Sequence, residues 1–178
     1  MKGVNRNFTM SVKKGQRIDV DVVNIAFGGK GIAKINGFTV FVDQAVAGDT
    51  ATVRITKKKK NYAEARIETL LRSSPLRVEA TCEYSGICGG CKWQFLDYRH
   101  QIAYKRQHVQ ESLEHIGRLK DVEVRETIPS SKIFEYRNKM EFSCSDRRWL
   151  LPQEMDQARS DSGIAVGLHV PGTFYKVL

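Results

Sequence analysis

Three cysteines, Cys82, Cys88 and Cys91, are separated by five and then two residues, with Gly89-Gly90 between the last pair. Thiolates two residues apart can turn toward one ion or cluster, and the glycines let the backbone fold tightly enough to bring them together. Three chemistries suit such a loop: a zinc knuckle, a redox-active pair, or an iron–sulfur cluster. A redox pair would use only Cys88 and Cys91 and would follow a strand, so it leaves Cys82 unexplained. Zinc or a cluster would need a fourth ligand. Cys144 lies in Met140-Glu141-Phe142-Ser143-Cys144-Ser145, where alternation sets it on one strand face with Met140 and Phe142 and reads as a small buried hydrophobe. His100, His108 and His115 fall among charged residues and read as surface histidines, and the sequence suggests no partner for His169.

The second group able to do chemistry is cationic. The net charge is +9, and residues 1–72 hold fourteen Lys/Arg against six Asp/Glu, while the remainder holds fifteen against fourteen. Nearly all the surplus thus belongs to one small module, which points to a bound polyanion. Lys13, Lys14, Lys30, Lys34, Arg54 and the run Lys57, Lys58, Lys59 and Lys60 are its phosphate-binding candidates, with Phe41 and Tyr62 as platforms for an unpaired base. Arg137 and Lys139 would extend the track. Barrel core is the competing reading for both aromatics, most of all for Phe41.

The elements that must position these residues follow from periodicity. Ile18, Val20 and Val22 alternate with Asp19 and Asp21, which predicts a strand from Arg17. Gly28-Gly29-Lys30-Gly31 breaks it. A strand Ile32 to Ile35 follows, Asn36-Gly37 makes a tight hairpin, and Phe38, Val40 and Val42 form the inner face of the return strand. After a turn at Ala47-Gly48-Asp49, Ala51, Val53 and Ile55 alternate again, and Ala63 to Leu71 reads as the fifth strand. Five short strands with glycine-rich turns predict a closed, oligonucleotide-binding-like barrel over residues 1–72.

Ser73-Ser74-Pro75 reads as a boundary, and residues 73–178 as a second, α+β domain. Asp97 is placed to cap a helix running through Ile116 and ended by Gly117, with Ile102, Val109, Leu113 and Ile116 as its core stripe. Val122, Val124 and Ile128 suggest a strand, Arg137 to Ser145 another, and Ile164 to Leu168 a third, after a polar loop from Pro152 to Ser162. Pro171-Gly172 turns the chain into a last strand start at Phe174 to Leu178. The fold class is mainly β with an α+β second domain.

No stretch has the apolar length of a membrane span, and the polar N-terminus is followed by no hydrophobic run, so the reading is cytoplasmic, with thiols kept reduced. Gly28-Gly29-Lys30-Gly31 joins strands and opens no helix, so it is not a nucleotide-binding turn.

The run Cys82-Glu83-Tyr84-Ser85-Gly86-Ile87-Cys88-Gly89-Gly90-Cys91, continuing through Trp93-Gln94 and Tyr98 into Gln101-Ile102-Ala103-Tyr104-Lys105, resembles the cluster loop and first helix of the uridine-C5 RNA methyltransferases, the RumA/TrmA group. Tyr136-Arg137-Asn138-Lys139-Met140-Glu141-Phe142 and Gly167-Leu168-His169 extend the likeness, and the N-terminal module is similar to the TRAM domain of the RumA branch. The resemblance implies an RNA-binding barrel, a central domain with a [4Fe-4S] cluster, and a further domain for S-adenosylmethionine. It implies cluster ligation by Cys82, Cys88 and Cys91, with the fourth ligand expected just past Leu178, and an aromatic residue is common at the position of Cys144. The family's nucleophilic cysteine and carboxylate base would lie in that further domain, so no catalytic residue is assigned and this stretch alone is expected to be inactive. The implied substrate is 23S ribosomal RNA, with transfer RNA as the alternative, and the implied state is a monomer. The radical methylthiotransferases also carry a TRAM domain, but after the catalytic domain and with cysteines spaced three then two. A non-enzymatic, zinc-dependent RNA-binding module is the reading from another class.

Overall fold

A computed structural model describes residues 12–151, 154–155, 163–173 and 175–178. Five strands, β1 (Arg17–Ile25), β2 (Gly31–Ile35), β3 (Phe38–Asp43), β4 (Thr50–Lys58) and β5 (Tyr62–Arg72), close into a barrel in the order β1-β2-β3-β5-β4. All pairs are antiparallel except β3 with β5, which run parallel and close the barrel. The alternation seen in the sequence is realised inside: Val20, Val22, Ala33, Val40, Val42, Ala51, Val53, Ile55, Ala63 and Ala65 are buried together. The alanines suit a barrel of so few strands, whose interior is only wide enough for side chains to fill. Asn36 and Gly37 have φ of 49° and 83°, the left-handed pair that a two-residue hairpin between β2 and β3 requires. At Gly31 a Cβ would sit 2.7 Å from the Ala45 Cβ and 2.8 Å from a Val22 methyl, so only glycine admits this approach.

The segment after β5 is stitched back to the barrel. Asp49 is fully buried and accepts hydrogen bonds from the Val46 amide at 2.7 Å and the Ser74 amide at 2.9 Å. Arg77 adds a fork, Nε to Oδ1 at 2.9 Å and Nη2 to Oδ2 at 2.7 Å, and Ser74 Oγ donates to the Ala47 carbonyl at 2.7 Å. By contacts, the described residues up to Arg77 form one compact unit with Arg99–Thr127, and Val78–Tyr98 form another with the described residues from Ile128 onward.

In the first unit, helix α1 (Tyr98–Glu111) ends five residues earlier than its sequence pattern predicts and continues as a π-helical turn, Ser112–Ile116, closed by the Gly117 amide on the Ser112 carbonyl at 3.0 Å. Gly117 is right-handed (φ −72°), and the left-handed residue is Arg118 (φ 55°). The core stripe is corrected: Val109 is 50% and Ile116 83% exposed, and the helix residue that is buried is His108. Its Nε2–H donates to the Ile25 carbonyl at the end of β1, 2.8 Å away, and its ring lies T-shaped to Phe27 with centroids 6.0 Å apart. A histidine can be buried when its polar atoms find partners, which hydrophobic periodicity does not register.

The strand expected over Val122, Val124 and Ile128 does not form. Side chains of α1 take its backbone groups instead: Arg106 Nε donates to the Val124 carbonyl at 2.8 Å, and Gln110 donates to the Val122 carbonyl at 3.0 Å while accepting from the Val124 amide at 2.9 Å. A segment paired this way needs no sheet neighbour.

In the second unit, β6 (Ser143–Ser145) pairs antiparallel with β7 (Ala165–Gly167), and Leu96, Leu151 and Val177 are buried. Of the strand expected from Arg137, only these last three residues pair; residues 137–142 are exposed. Cys144 faces Val166 across the ladder and is exposed, as are Met140 and Phe142, so the buried reading of Cys144 is corrected: this two-stranded sheet leaves that face uncovered among the described residues. Pro171-Gly172 turns the chain (Gly172 φ 76°), and the Leu178 amide returns to the Leu168 carbonyl at 2.8 Å. Most of the polar loop read from Pro152 to Ser162, and Phe174, lie outside the described residues.

Candidate nucleic-acid interface and cysteine loop

The outward residues of β2, β3 and β5 form rows that register dictates. Lys34 pairs with Thr39, and Thr39 with Tyr62; Ile32 pairs with Phe41, and Phe41 with Glu64. Phe41 and Tyr62 are half-buried and pack edge to face, with ring centroids 5.6 Å apart and planes at 75°. Both therefore belong to the outer face and not to the core, because Val40, Val42, Ala63 and Ala65 take the inward positions of the same strands.

The lysine run follows directly. Lys57 and Lys58 end β4, and the Lys59 amide donates to the Tyr62 carbonyl at 2.8 Å, tightening the turn into β5. Lys13 and Lys14 precede β1 in a turn whose Gly15 amide reaches the Ile55 carbonyl at 2.8 Å, and the Ile55 amide returns to Gln16 at 2.9 Å. The tertiary structure thereby brings two lysine groups, far apart in sequence, to neighbouring positions along β4. Lys13, Lys14, Lys34, Lys58, Lys59 and Lys60 are exposed and carry no ion pair among the described residues.

The other three cations have carboxylate partners. Lys30 Nζ lies 2.7 Å from Glu64 and 3.1 Å from Asp43, Lys57 lies 3.5 Å from Glu64, and Arg54 lies 3.5 Å from Glu68, which also holds Arg17 at 2.6 Å. Partial burial pulls the Lys30 pKa down, but Glu64 and Asp43 outweigh it and leave the ammonium above its ordinary value. The Lys30 hydrogen bond holds the Glu64 carboxyl below the usual range against some desolvation, with Lys57 adding to the effect. Glu64 escaped the sequence reading. Alternation along β5 sets it on the face of Tyr62, but its place beside Phe41 depends on the parallel β3–β5 pairing.

In the second unit the cysteine loop is drawn together by backbone and side-chain bonds. The Ser85 amide donates to the Cys82 carbonyl at 3.0 Å and the Cys88 amide to the Tyr84 carbonyl at 2.9 Å. Gln94 spans the loop, accepting from the Cys82 amide at 3.2 Å and donating to Cys91 Sγ at 3.4 Å, and the Gly90 amide points at Cys88 Sγ at 3.3 Å. A Cβ at Gly90 would lie 2.8 Å from a Leu168 methyl, so the Leu168 side chain packs directly over this glycine. All three thiols are unbridged, and Cys82 and Cys91 are exposed. Three soft donors on one loop suit a thiolate-bound metal or cluster. Among the described residues, however, no three Cys, His, Asp or Glu side chains converge closely enough to hold an ion. Arg137 and Lys139 line a cleft of about 450 Å³ beside Gly89, Gly90 and His169. Lys139 pairs with Glu141 at 3.1 Å, and His169 Nδ1 lies 3.1 Å from Ser143 Oγ.

A closed five-stranded barrel with this strand order, carrying a basic and aromatic outer face, defines a small OB-like module. Residues 11–67 match the TRAM domain. A Bacteroides thetaiotaomicron protein named uncharacterized RNA methyltransferase is 43% identical over 86% of this chain and 34% of its own length. Relatives with the same description from Porphyromonas gingivalis (36% identical, 89% of this chain, 35% of the relative) and Chlorobaculum tepidum (41%, 93% and 35%) align similarly. The chain is similar to these RNA methyltransferases, and spans about a third of the length of the curated relatives it matches.

Proposed function

We propose that this chain is the RNA-holding part of an S-adenosylmethionine-dependent methyltransferase that modifies C5 of a uridine, with 23S ribosomal RNA as its substrate. The observation that carries the reading is the Phe41–Tyr62 pair at 5.6 Å on the outer face of the barrel, in register with Lys34 and close to Lys57–Lys60, which lead into β5 at Tyr62. Aromatic rings take the face of an unpaired base, while the lysines neutralise the phosphates on either side. The names of the relatives support methyl transfer. The methyl-donor fold and the reacting groups would belong to the rest of such a protein, so this stretch contributes binding and no catalytic residue.

Cys82, Cys88 and Cys91 would hold a [4Fe-4S] cluster, with the fourth ligand supplied from outside this stretch. Bound, the cluster would act as a cross-link in a unit few of whose described residues are buried. The protein would work as a cytoplasmic monomer.

The binding test is a titration of short single-stranded RNA into the 178-residue chain across a range of salt concentrations. Tight, salt-sensitive binding is expected, and its absence would remove the RNA reading. Anaerobic purification followed by iron and acid-labile sulfide determination tests the cluster; a zinc-loaded, colourless protein would instead favour a non-enzymatic zinc module. Methyl transfer is assayed with the full-length parent on 23S and transfer RNA, and this stretch alone should transfer nothing.

A further inference from the structure

Glu64 is out of place on a face that meets a polyanion. It is the register partner of Phe41 on the adjacent parallel strand, and both point outward. Neighbouring strands lie about 4.8 Å apart, so the edge of a base stacked on Phe41 falls within reach of this carboxylate. The side chain is 25% exposed and open to a ligand. Lys30 occupies one oxygen at 2.7 Å and Lys57 approaches the other at 3.5 Å. Each carboxylate oxygen has two lone-pair directions, so each keeps one acceptor site. The Lys30 hydrogen bond, with Lys57 beside it, holds this carboxyl below the usual range.

We propose that Glu64 reads a guanine at the nucleotide stacked on Phe41. This rests on the RNA reading above and adds to it a base preference and the residue that imposes it. A carboxylate repels phosphate, so what sits beside it is a base edge bearing N–H donors. Guanine presents two adjacent donors, N1–H and the 2-amino group, which match the two oxygens. Uracil offers one N–H between two carbonyls. Cytosine and adenine offer one amino group next to a bare ring nitrogen, whose lone pair faces the carboxylate. Asp43 is not equivalent: it lies two residues further along β3, opposite Arg66, and contacts Lys30 at 3.1 Å.

The test is fluorescence anisotropy of the 178-residue chain with short RNAs, all uridine except one central position carrying guanosine, inosine or uridine. Guanosine should bind at least about fivefold more tightly than uridine, the range of one bidentate base contact, with inosine between them because it lacks the 2-amino group. Glu64→Gln should abolish the preference while leaving all-uridine binding as tight or tighter. Asp43→Asn, which removes the other carboxylate on Lys30, should keep it. Equal affinity of the unsubstituted chain for all three RNAs would overturn the assignment while leaving RNA binding intact, as would a guanosine preference that survives in Glu64→Gln. Binding of none of them would overturn both this assignment and the RNA reading.

Discussion

Arg77 grips the buried Asp49 carboxylate with two nitrogens, Nε at 2.9 Å from Oδ1 and Nη2 at 2.7 Å from Oδ2, and so ties the segment after β5 to the β3–β4 turn. Burial by itself would raise the Asp49 pKa, but the hydrogen bonds from Arg77, Val46 and Ser74 prevail and hold it below the usual carboxylate range. Removing one partner leaves the other charge uncompensated, so Arg77→Ala should cost about 3–5 kcal/mol in urea unfolding at neutral pH.

Because the folded carboxyl titrates lower than the unfolded one, the stabilisation is complete above the ordinary carboxylate pKa of about 4 and disappears as pH falls through the folded value. The difference in stability between the parent chain and Asp49→Asn should therefore shrink on acidification below that range. Urea midpoints measured from neutral pH into acid check this.

His108 holds α1 against the end of β1 through one hydrogen bond to the Ile25 carbonyl. Replacing it with phenylalanine keeps an aromatic ring but strands a buried acceptor, at a cost of about 1–3 kcal/mol. Hydrogen exchange should show α1 losing protection before the barrel strands do.

Gly31→Ala tests barrel closure. The added methyl would meet Ala45 at 2.7 Å and Val22 at 2.8 Å, and overpacking of this kind costs about 1–3 kcal/mol. Thermal unfolding should fall to lower temperature, whereas Gly15→Ala, where nothing lies within 4 Å, meets no such clash and pays only for its backbone angle.

Single-stranded RNA binding should weaken by about 1–3 kcal/mol in Phe41→Ala or Tyr62→Ala, the range of one base stacked on an aromatic ring. Charge removal at Lys58, Lys59 and Lys60 should lower the slope of log K against log salt by about 0.7 for each phosphate that a lysine no longer neutralises. Lys30→Ala should lower it less, because Lys30 already faces two carboxylates. Titrations at several salt concentrations separate the stacking and charge contributions.

The five barrel strands were legible in the chain because alternation and turn chemistry are local: Val20-Asp21-Val22 and Asn36-Gly37 carry their structure in neighbouring residues. The second unit was less legible. Along the first unit's helix and the segment after it, too, pattern misled. Val122 and Val124 look like a strand, but their backbone groups bond to Arg106 and Gln110. The stripe on α1 failed for a similar reason, since His108 is buried by a carbonyl eighty-three residues away in sequence.

Residue type and spacing alone determined the cysteine loop, the surplus of positive charge in the first 72 residues, and the inward set of barrel side chains. Tertiary structure decided which barrel cations pair with carboxylates among the described residues and which do not, and set Glu64 beside Phe41. The reason is physical: a strand's period selects the face on which a side chain lies, whereas its neighbours on that face come from strand order and register, which depend on closing the whole barrel.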